Sequence, residues 1–196
     1  DLPIALGVLA SSQQIPPNTL HEYEFVGELA LSGELRPVRG VLPVVLAAHQ
    51  AGRCLIVPRQ NAAEAALVSE ARVLSAQHLL EVCAHLRGAA SLPRCLPDAT
   101  SAVQIAHADL ADVRGQPHAK RSLEVAAAGR HSLLFVGPPG TGKTMLASRL
   151  PGILPAISTE EALEAAAIAS VSGSGFDPAQ WGRIAFRAPH HSSSSA

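Results

Sequence analysis

The octapeptide at residues 137–144, Gly-Pro-Pro-Gly-Thr-Gly-Lys-Thr, constrains the fold more than any other part of the chain. It is a complete phosphate-binding loop motif, in which glycines let backbone N–H groups turn inward onto phosphate oxygens. Such a loop lies between a buried strand and the N-terminus of a helix. The apolar run at residues 132–136 predicts that strand, and residues 145–150 suit the helix. The second half of the chain is therefore predicted to bind a nucleotide.

Nucleotide binding gives each residue type in the loop a role. Lys143 would reach the β- and γ-phosphates as a point charge, and the Thr144 hydroxyl would hold Mg²⁺ bound to the nucleotide. The positive N-terminal end of the following helix adds to this attraction. We predict Lys143 and Thr144 as catalytic residues, with ATP and Mg²⁺ as cofactors. The predicted nucleotide contacts in this loop are Gly137, Pro138, Pro139, Gly140, Thr141, Gly142, Lys143, Thr144 and Met145.

Composition narrows the function classes only a little. The chain has 196 residues, a net charge of −1, and 47% hydrophobic but only 3% aromatic residues. The core is therefore predicted to be aliphatic, and the charge balance neither indicates nor excludes nucleic acid. No apolar stretch reaches the roughly 20 residues of a membrane span, and no secretory signal is found. We expect a cytoplasmic protein without membrane contact, and the start at Asp1 suggests a fragment of a longer one.

The three cysteines, Cys54, Cys83 and Cys95, are an odd and loosely spaced set without a CxxC pair. We therefore expect free thiols in a reducing compartment rather than a disulfide framework or a zinc site. The alternative is a metal site that combines Cys83 and Cys95 with His85.

Strand and helix signals alternate in the first segment, which predicts an α/β or α+β domain. Helices are expected at residues 2–10, 41–51, 61–68 and 76–87, and strands at residues 24–31, 34–38, 54–57 and 72–74. Asn61 with Glu64, and Ser75, are the predicted N-terminal caps of the last two helices. Prolines then break the pattern, so residues 93–108 are expected to form a linker.

Helical signals also dominate the second half of the chain. A helix is expected over residues 117–128, and another from Ser158 to about Ile168, with Glu161 completing a capping box. Residues 172–175 are expected to form a flexible break. Residues 184–186 are the candidate for one more short strand.

This second half resembles the beginning of a AAA+ ATPase module. Residues 112–116, Asp-Val-Arg-Gly-Gln, followed by Lys120 and Leu123, are similar to the element that packs around adenine in that superfamily. The phosphate loop follows about twenty residues later, as it does there. The resemblance implies that Val113 and Gly115 also contact the nucleotide.

Two further stretches narrow the resemblance to one family. Residues 22–38 contain Gly-Glu-Leu-Ala-Leu-Ser-Gly-Glu-Leu-Arg-Pro-Val, and residues 186–191 read Phe-Arg-Ala-Pro-His-His. With the phosphate loop, they resemble the magnesium-chelatase-like ComM/YifB family of bacteria over essentially the whole chain. The implied fold class is α/β, with a Lon-protease-like domain of the ribosomal S5 domain 2-like type followed by a P-loop AAA+ domain. The implied domains are 1–92 (C-terminal portion of the Lon-like domain), 93–108 (linker) and 109–196 (N-terminal part of the AAA+ domain).

The resemblance implies an ATPase that self-associates into a ring, expected to be a hexamer. One branch of the family is associated with ATP-driven DNA branch migration, so DNA is an expected partner of the full-length parent. The alternative is a chelatase-type ATPase that remodels a protein–porphyrin partner. The fused Lon-like domain favours the DNA motor, because the porphyrin chelatase subunit lacks it. A third interpretation, for the fragment alone, is a non-catalytic interaction module.

The sequence also departs from these relatives. A working Lon-type protease uses a Ser–Lys dyad, and its lysine follows the segment matched here by residues 35–40. This chain has Val41, Leu42 and Pro43 there, which accept no proton, so we expect no peptidase activity. No apolar run ending in Asp-Glu and no arginine finger follows the phosphate loop, so the fragment alone is expected to hydrolyse ATP poorly.

Other basic residues have two open interpretations. Arg187, His190 and His191 could serve a metal or DNA role, although adjacent histidines on a strand point to opposite faces. The alternative is packing within a loop. A second set could form a basic face or a solvated surface, and it consists of Arg36, Arg39, Arg53 and Arg59.

Overall fold

A computed structural model of the chain describes residues 1–96, 108–172 and 176–183. Contacts divide the chain into two compact units. The first is made of Asp1–Ala102 and Glu160–Trp181, and the second of Val103–Thr159 and Gly182–Ala196. The chain therefore leaves the first unit, builds the second and returns to the first. The division at residues 93–108 proposed above remains a prediction.

Helices occur in both units and strands in the first. The α-helices are α1 Leu2–Ser11, α2 Val41–Gln50, α3 Ala62–Ala65, α4 Leu79–Leu86, α5 Pro117–Ala128, α6 Lys143–Ala147, α7 Leu150–Ile153 and α8 Thr159–Val171. The strands are β1 Tyr23–Phe25, β2 Glu28–Leu29, β3 Leu35–Arg36, β4 Cys54–Pro58 and β5 Val73–Ala76. Short 3₁₀ helices lie at Pro17–Glu22, Arg59–Asn61, Leu110–Asp112 and Pro178–Gln180.

A parallel sheet with the order β1-β4-β5 forms the centre of the first unit, and β2 pairs with β3 in a separate antiparallel hairpin. Successive side chains of β4 enter different cores. Leu55 and Val57 pack with α2 and α3, whereas Ile56 packs with α1 and α4. Helices thus cover both faces of the sheet, as parallel strands require. The prediction of an α/β class is confirmed for this unit.

The expected strand over residues 24–31 is interrupted in the structure. β1 joins the parallel sheet and β2 joins the hairpin, and Gly27 lies between them with φ +154°. The Gly27 carbonyl accepts a hydrogen bond from the Leu2 amide at 3.2 Å. A Cβ at Gly27 would lie 3.1 Å from Pro58 Cγ, so a glycine is needed where the chain passes β4.

The predicted caps of α3 and α4 are wrong. Asn61 makes no cap hydrogen bond to α3, and its amide instead bonds both backbone groups of Val38, at 3.1 and 2.9 Å. Glu64 Oε1 accepts from the Leu42 amide at 3.2 Å. The segment that enters α2 has backbone groups needing partners, and these two side chains supply them. Ser75 belongs to β5, and His78 caps α4 by accepting from the Leu80 amide at 3.1 Å.

Residues 93–95 continue the sheet beyond β5. Arg94 forms an antiparallel bridge with Leu74. The Ser75 amide donates to the Pro93 carbonyl at 3.0 Å, and the Cys95 amide donates to the Val73 carbonyl at 2.9 Å. The start of the predicted linker is therefore hydrogen-bonded to the first unit.

The second unit has a small aliphatic core. Leu110, Val113, Leu123 and Leu146 are buried in it. The predicted helix over residues 117–128 is confirmed as α5, with Gly129 at its C-terminal cap.

The strand predicted at residues 132–136 is wrong for the described structure. The segment is assigned no strand, and Leu134 and Val136 are 83% and 87% exposed. A buried strand needs neighbouring strands and covering layers, and the described residues of the second unit contain no strand that could pair with it. The helix predicted at residues 145–150 is also displaced, because α6 begins at Lys143 and a turn separates it from α7.

Several predictions fall wholly or partly outside the described residues: the break at residues 172–175, the short strand at 184–186, and the roles of Arg187, His190 and His191. Within the described ranges, no helix combines the length and apolar character needed to cross a bilayer.

Candidate nucleotide site

The phosphate loop runs from Gly137 to Gly142 and leads directly into α6. Gly140 and Gly142 adopt φ of +82° and +84°, which is the left-handed region that favours glycine. Gly137 differs from them, because its φ is not positive and a Cβ there would lie 3.4 Å from Thr141 Oγ1, an ordinary contact distance. The left-handed backbone therefore requires glycine at two of the three glycine positions of the motif.

The Lys143 side chain folds back over the loop that precedes it. Its Nζ donates to the carbonyl oxygens of Gly137 at 2.8 Å and Pro138 at 2.7 Å. Thr141 Oγ1 donates to the same Pro138 carbonyl at 2.9 Å. These bonds close the loop into an arc and hold a positive charge within it.

Thr144 and Met145 occupy the first turn of α6 and are exposed. Amide groups in the first turn of a helix have no intrahelical acceptor, so those of residues 143–145 are free to meet an anion. The loop proline Pro139 is also exposed. Arg149 donates to the Met145 carbonyl at 3.0 Å and to Ser148 Oγ at 3.1 Å, so it covers the end of this helix.

Residues 113–116, which the resemblance assigns to the nucleotide site, are joined to the phosphate loop by a hydrogen bond from Gln116 to Thr141. Val113 is only 1% exposed and packs with Leu110, Leu123 and Leu146. Gly115 and Gln116 are consecutive left-handed residues, with φ +69° and +55°. The buried valine fixes this segment to the core of the unit, and the two left-handed residues turn the chain into α5.

Gln116 is the residue that the site prediction omitted. Its Nε2 donates to the Thr141 carbonyl at 3.4 Å, which links residues 113–116 to the phosphate loop. Its backbone is also unusual, because a non-glycine residue in the left-handed region is uncommon. One signal was present in the sequence: Gln116 directly precedes Pro117, the first residue of α5, where Ser, Thr, Asp or Asn is the ordinary cap.

The donor set fits a phosphate chain with Mg²⁺. It comprises the Lys143 ammonium group, the open amides of the first turn of α6, and the exposed Thr144 side chain. Cations and helix N-termini favour phosphate oxygens, and a hydroxyl oxygen is a suitable Mg²⁺ ligand. These residues could therefore hold a nucleotide and its metal ion together.

The other residues considered in the sequence analysis, namely four arginines, the Lon-lysine position and three cysteines, lie outside this site. Arg53 forms an ion pair with Glu24, whereas Arg36, Arg39 and Arg59 are exposed. Val41 and Leu42, where the resemblance places the Lon-type lysine, lie in the first turn of α2 and are fully buried. Cys54, Cys83 and Cys95 are free thiols, and burial raises the pKa of each.

Comparison with known proteins matches both halves of the chain to one family. A protein-family model described as magnesium chelatase, subunit ChlI, matches residues 109–196. A second family model, described as subunit ChlI of Mg-chelatase, matches residues 1–61. The competence protein ComM of Haemophilus influenzae is 50% identical over 99% of this chain, and the match covers 39% of ComM. YifB of Salmonella typhimurium is 52% identical over 99% of this chain, which covers 38% of YifB.

A shorter match is to a protein named as a protease homologue. A putative lon protease homologue of Thermoplasma volcanium is 50% identical over 54 residues, or 28% of this chain and 11% of that protein. The chain spans about two fifths of the length of ComM and YifB. With both halves and nearly every residue accounted for, the chain belongs to the magnesium-chelatase-like ComM/YifB family.

Proposed function

We propose that this chain binds ATP with Mg²⁺ through residues 137–144 and is part of a ring-forming AAA+ ATPase that moves DNA. The observation that carries the proposal is the placement of the Lys143 ammonium group inside the loop, 2.7–2.8 Å from two of its carbonyls. It lies beside two left-handed glycines and an open helix N-terminus. Together these groups offer the positive, glycine-lined cradle that a triphosphate needs.

Each loop residue has a separate task in this proposal. Lys143 exchanges a loop carbonyl for the β- and γ-phosphate oxygens and neutralises their charge. The Thr144 hydroxyl holds Mg²⁺, which when bound supplies charge stabilisation to the phosphates. Gly115 and Gln116 set the edge of the site nearest the adenine. Hydrolysis belongs to the full-length parent, whose further segments position the attacking water.

DNA as the partner is supported by similarity to ComM, which is named a competence protein. It is also supported by the Lon-like domain that the resemblance implies before the phosphate loop, because the porphyrin chelatase subunit lacks such a domain. Branch migration by a hexameric ring is the form that we propose for the parent. The alternative, chelatase-type remodelling of a protein partner, is favoured by the description of both matching family models. Neither function uses peptide cleavage, in keeping with the buried Val41 and Leu42 at the Lon-lysine position.

Nucleotide binding is tested with Lys143→Ala in the full-length parent. Charge-assisted hydrogen bonds contribute about 1.5–3 kcal/mol, so we expect ATP affinity to fall about 10- to 100-fold by calorimetry. Arg121→Ala is the matched control, because it removes one positive charge from the exposed surface of α5, where Arg121 bonds only Glu124 among the described residues. Unchanged ATP affinity in Lys143→Ala would refute the assignment of the loop.

The partner is tested by the ATPase rate of the parent with and without single-stranded and branched DNA, using Lys143→Ala as the blank. Stimulation of several fold by DNA, absent in the blank, is the expected result. An ATPase rate indifferent to DNA would contradict the DNA motor and favour the remodelling alternative.

A further inference from the structure

Helix α8 follows the phosphate-loop helices in sequence but packs with the first unit. Its residues from Glu160 onward belong to that unit. Ala162, Ala166 and Ser170 are buried, and their spacing of four places them on one face of the helix. Ala166 lies in the core formed by α2, α3 and the sheet, with Leu163 and Ala167 packed around it. The chain therefore returns from the second unit into the core of the first.

The C-terminal end of α8 is fixed by hydrogen bonds as well as by packing. Ser170 Oγ donates to Glu64 Oε1, and the Ser170 carbonyl accepts from the Gly40 amide at 3.1 Å. Ser170 is only 2% exposed. The same Glu64 oxygen accepts from the Leu42 amide, so the carboxylate joins α8 to the first turn of α2. A negative charge at a helix N-terminus is favourable, which strengthens the joint.

The approach of α8 also depends on a glycine. Gly40 has φ +74° and directly precedes α2. A Cβ at this position would lie 3.2 Å from Val171 Cγ1. The backbone before α2 is thus shaped to let the end of α8 come close, and the sequence interval from Gly40 to Ser170 makes this a long-range contact.

We propose that the contact of Ser170 with Glu64 and Gly40 is a latch that couples the nucleotide state of the phosphate loop to the first unit. The proposal rests on the proposed function, because it requires nucleotide at residues 137–144. From Lys143 the chain runs through α6 and α7, and only residues 154–158 separate α7 from α8. Five residues span at most about 18 Å. This short connection limits how far the loop helices can move unless α8 moves with them.

Coupling of this kind is reciprocal. If nucleotide changes the docking of α8 by some factor, then the docked and undocked states differ in nucleotide affinity by that factor, and weakening the latch shifts the affinity by at most that amount. Ser170→Ala removes one hydrogen bond to α8 and leaves the Glu64–Leu42 bond in place. A hydrogen bond of this kind contributes about 0.5–1.5 kcal/mol, so a fully coupled latch would shift nucleotide affinity about 2- to 12-fold.

The test measures hydrogen exchange at the amides of Gly40 and Leu42 in the full-length parent, with ADP and with a non-hydrolysable ATP analogue. We expect exchange there to differ by about threefold or more between the two nucleotides. We also expect Ser170→Ala to raise the exchange rate and reduce the difference. Ser122→Ala is the matched control, since it removes a helical serine hydroxyl whose described acceptor is the His118 carbonyl of α5.

Nucleotide binding is measured in the same samples by calorimetry, which separates the two proposals. If the wild-type parent binds nucleotide while exchange at Gly40 and Leu42 stays unchanged, the latch is overturned and the proposed function stands. If the wild-type parent binds no nucleotide, both proposals are overturned. An affinity shift in Ser122→Ala equal to that in Ser170→Ala would also overturn the latch.

Discussion

Strand β4 and residues 132–136 are similarly apolar in sequence but meet different fates in the structure. Leu55, Ile56 and Val57 of β4 are fully buried, whereas Leu134 and Val136 are more than four-fifths exposed. β4 has β1 and β5 on its two sides and helices over both faces. An apolar pattern therefore predicts where a strand can form, but neighbouring strands and helices decide whether it is buried.

The sharpest test of this difference is a pair of leucine truncations in the 196-residue chain. Leu55→Ala should lower the free energy of unfolding by about 2–5 kcal/mol, because it opens a cavity in a closed core. Leu134→Ala should change it by less than about 0.5 kcal/mol, as exposed surface substitutions usually do. Urea unfolding followed by circular dichroism provides both values. Similar losses in the two variants would show that residues 132–136 are buried in solution.

Glycines with positive φ offer a second comparison between the units. At Gly33, φ is +90° and a Cβ would lie 2.6 Å from His78 Cε1, whereas Gly140 has φ +82° and open space around it. Gly33→Ala combines backbone strain with displacement of a ring whose Nε2 lies 3.0 Å from the Ser32 carbonyl. We expect Gly33→Ala to lower the free energy of unfolding by about 2–3 kcal/mol. Gly140→Ala should lower it by about 1 kcal/mol, from backbone strain alone. Equal losses in urea unfolding would mean that the His78 ring moves aside freely.

A smaller loss of stability should appear at alkaline pH, and it should come from titratable groups of the first unit. Burial raises the pKa of Cys54, Cys83 and Cys95, and it also raises the pKa of Tyr23. The folded chain therefore holds these protons more strongly than the unfolded chain. The stability that these groups contribute is complete below the ordinary thiol pKa of about 8.5. It is lost as the pH rises through the pKa values of the folded state.

Thermal unfolding at pH 7.5 and at pH 9.5 checks this expectation. The midpoint should be lower at pH 9.5, and a variant with the three cysteines replaced by alanine should show a smaller decrease. Because all three cysteines lie between residues 54 and 95, the second unit has no thiol to contribute. A decrease of the same size in the cysteine-free variant would assign the effect to other groups.

Much of the first unit could be predicted from local sequence. α1, α2 and β4 occur where periodicity and turn residues place them, because each signal agrees with the tertiary structure. The caps failed for a physical reason. Asn61 and Glu64 have the spacing of a capping box, but their side chains satisfy backbone groups at Val38 and Leu42, a partnership between distant segments that spacing does not reveal.

The candidate site shows the same division between local and distant information. The loop motif predicted a glycine-rich turn that leads into a helix, and Gly140 and Gly142 do adopt left-handed φ, but the helix begins at Lys143 instead of Met145. The motif carries no information about Gln116, whose side chain reaches Thr141 only after the chain has folded. It also did not predict that α8 would pack with the first unit, because the buried face of α8 is made mostly of alanine and gives little apolar contrast.

The bonds from residues 93–95 to β5 have a consequence for how the protein behaves among other molecules. An unpaired strand edge is a template for strand addition by a neighbouring chain, and proteins commonly cover such edges. Pro93 and Cys95 occupy backbone groups of Ser75 and Val73 that would otherwise be open. Without these two bonds that edge would be open, and the protein should self-associate as its concentration rises. The apparent linker thus also protects the sheet against aggregation.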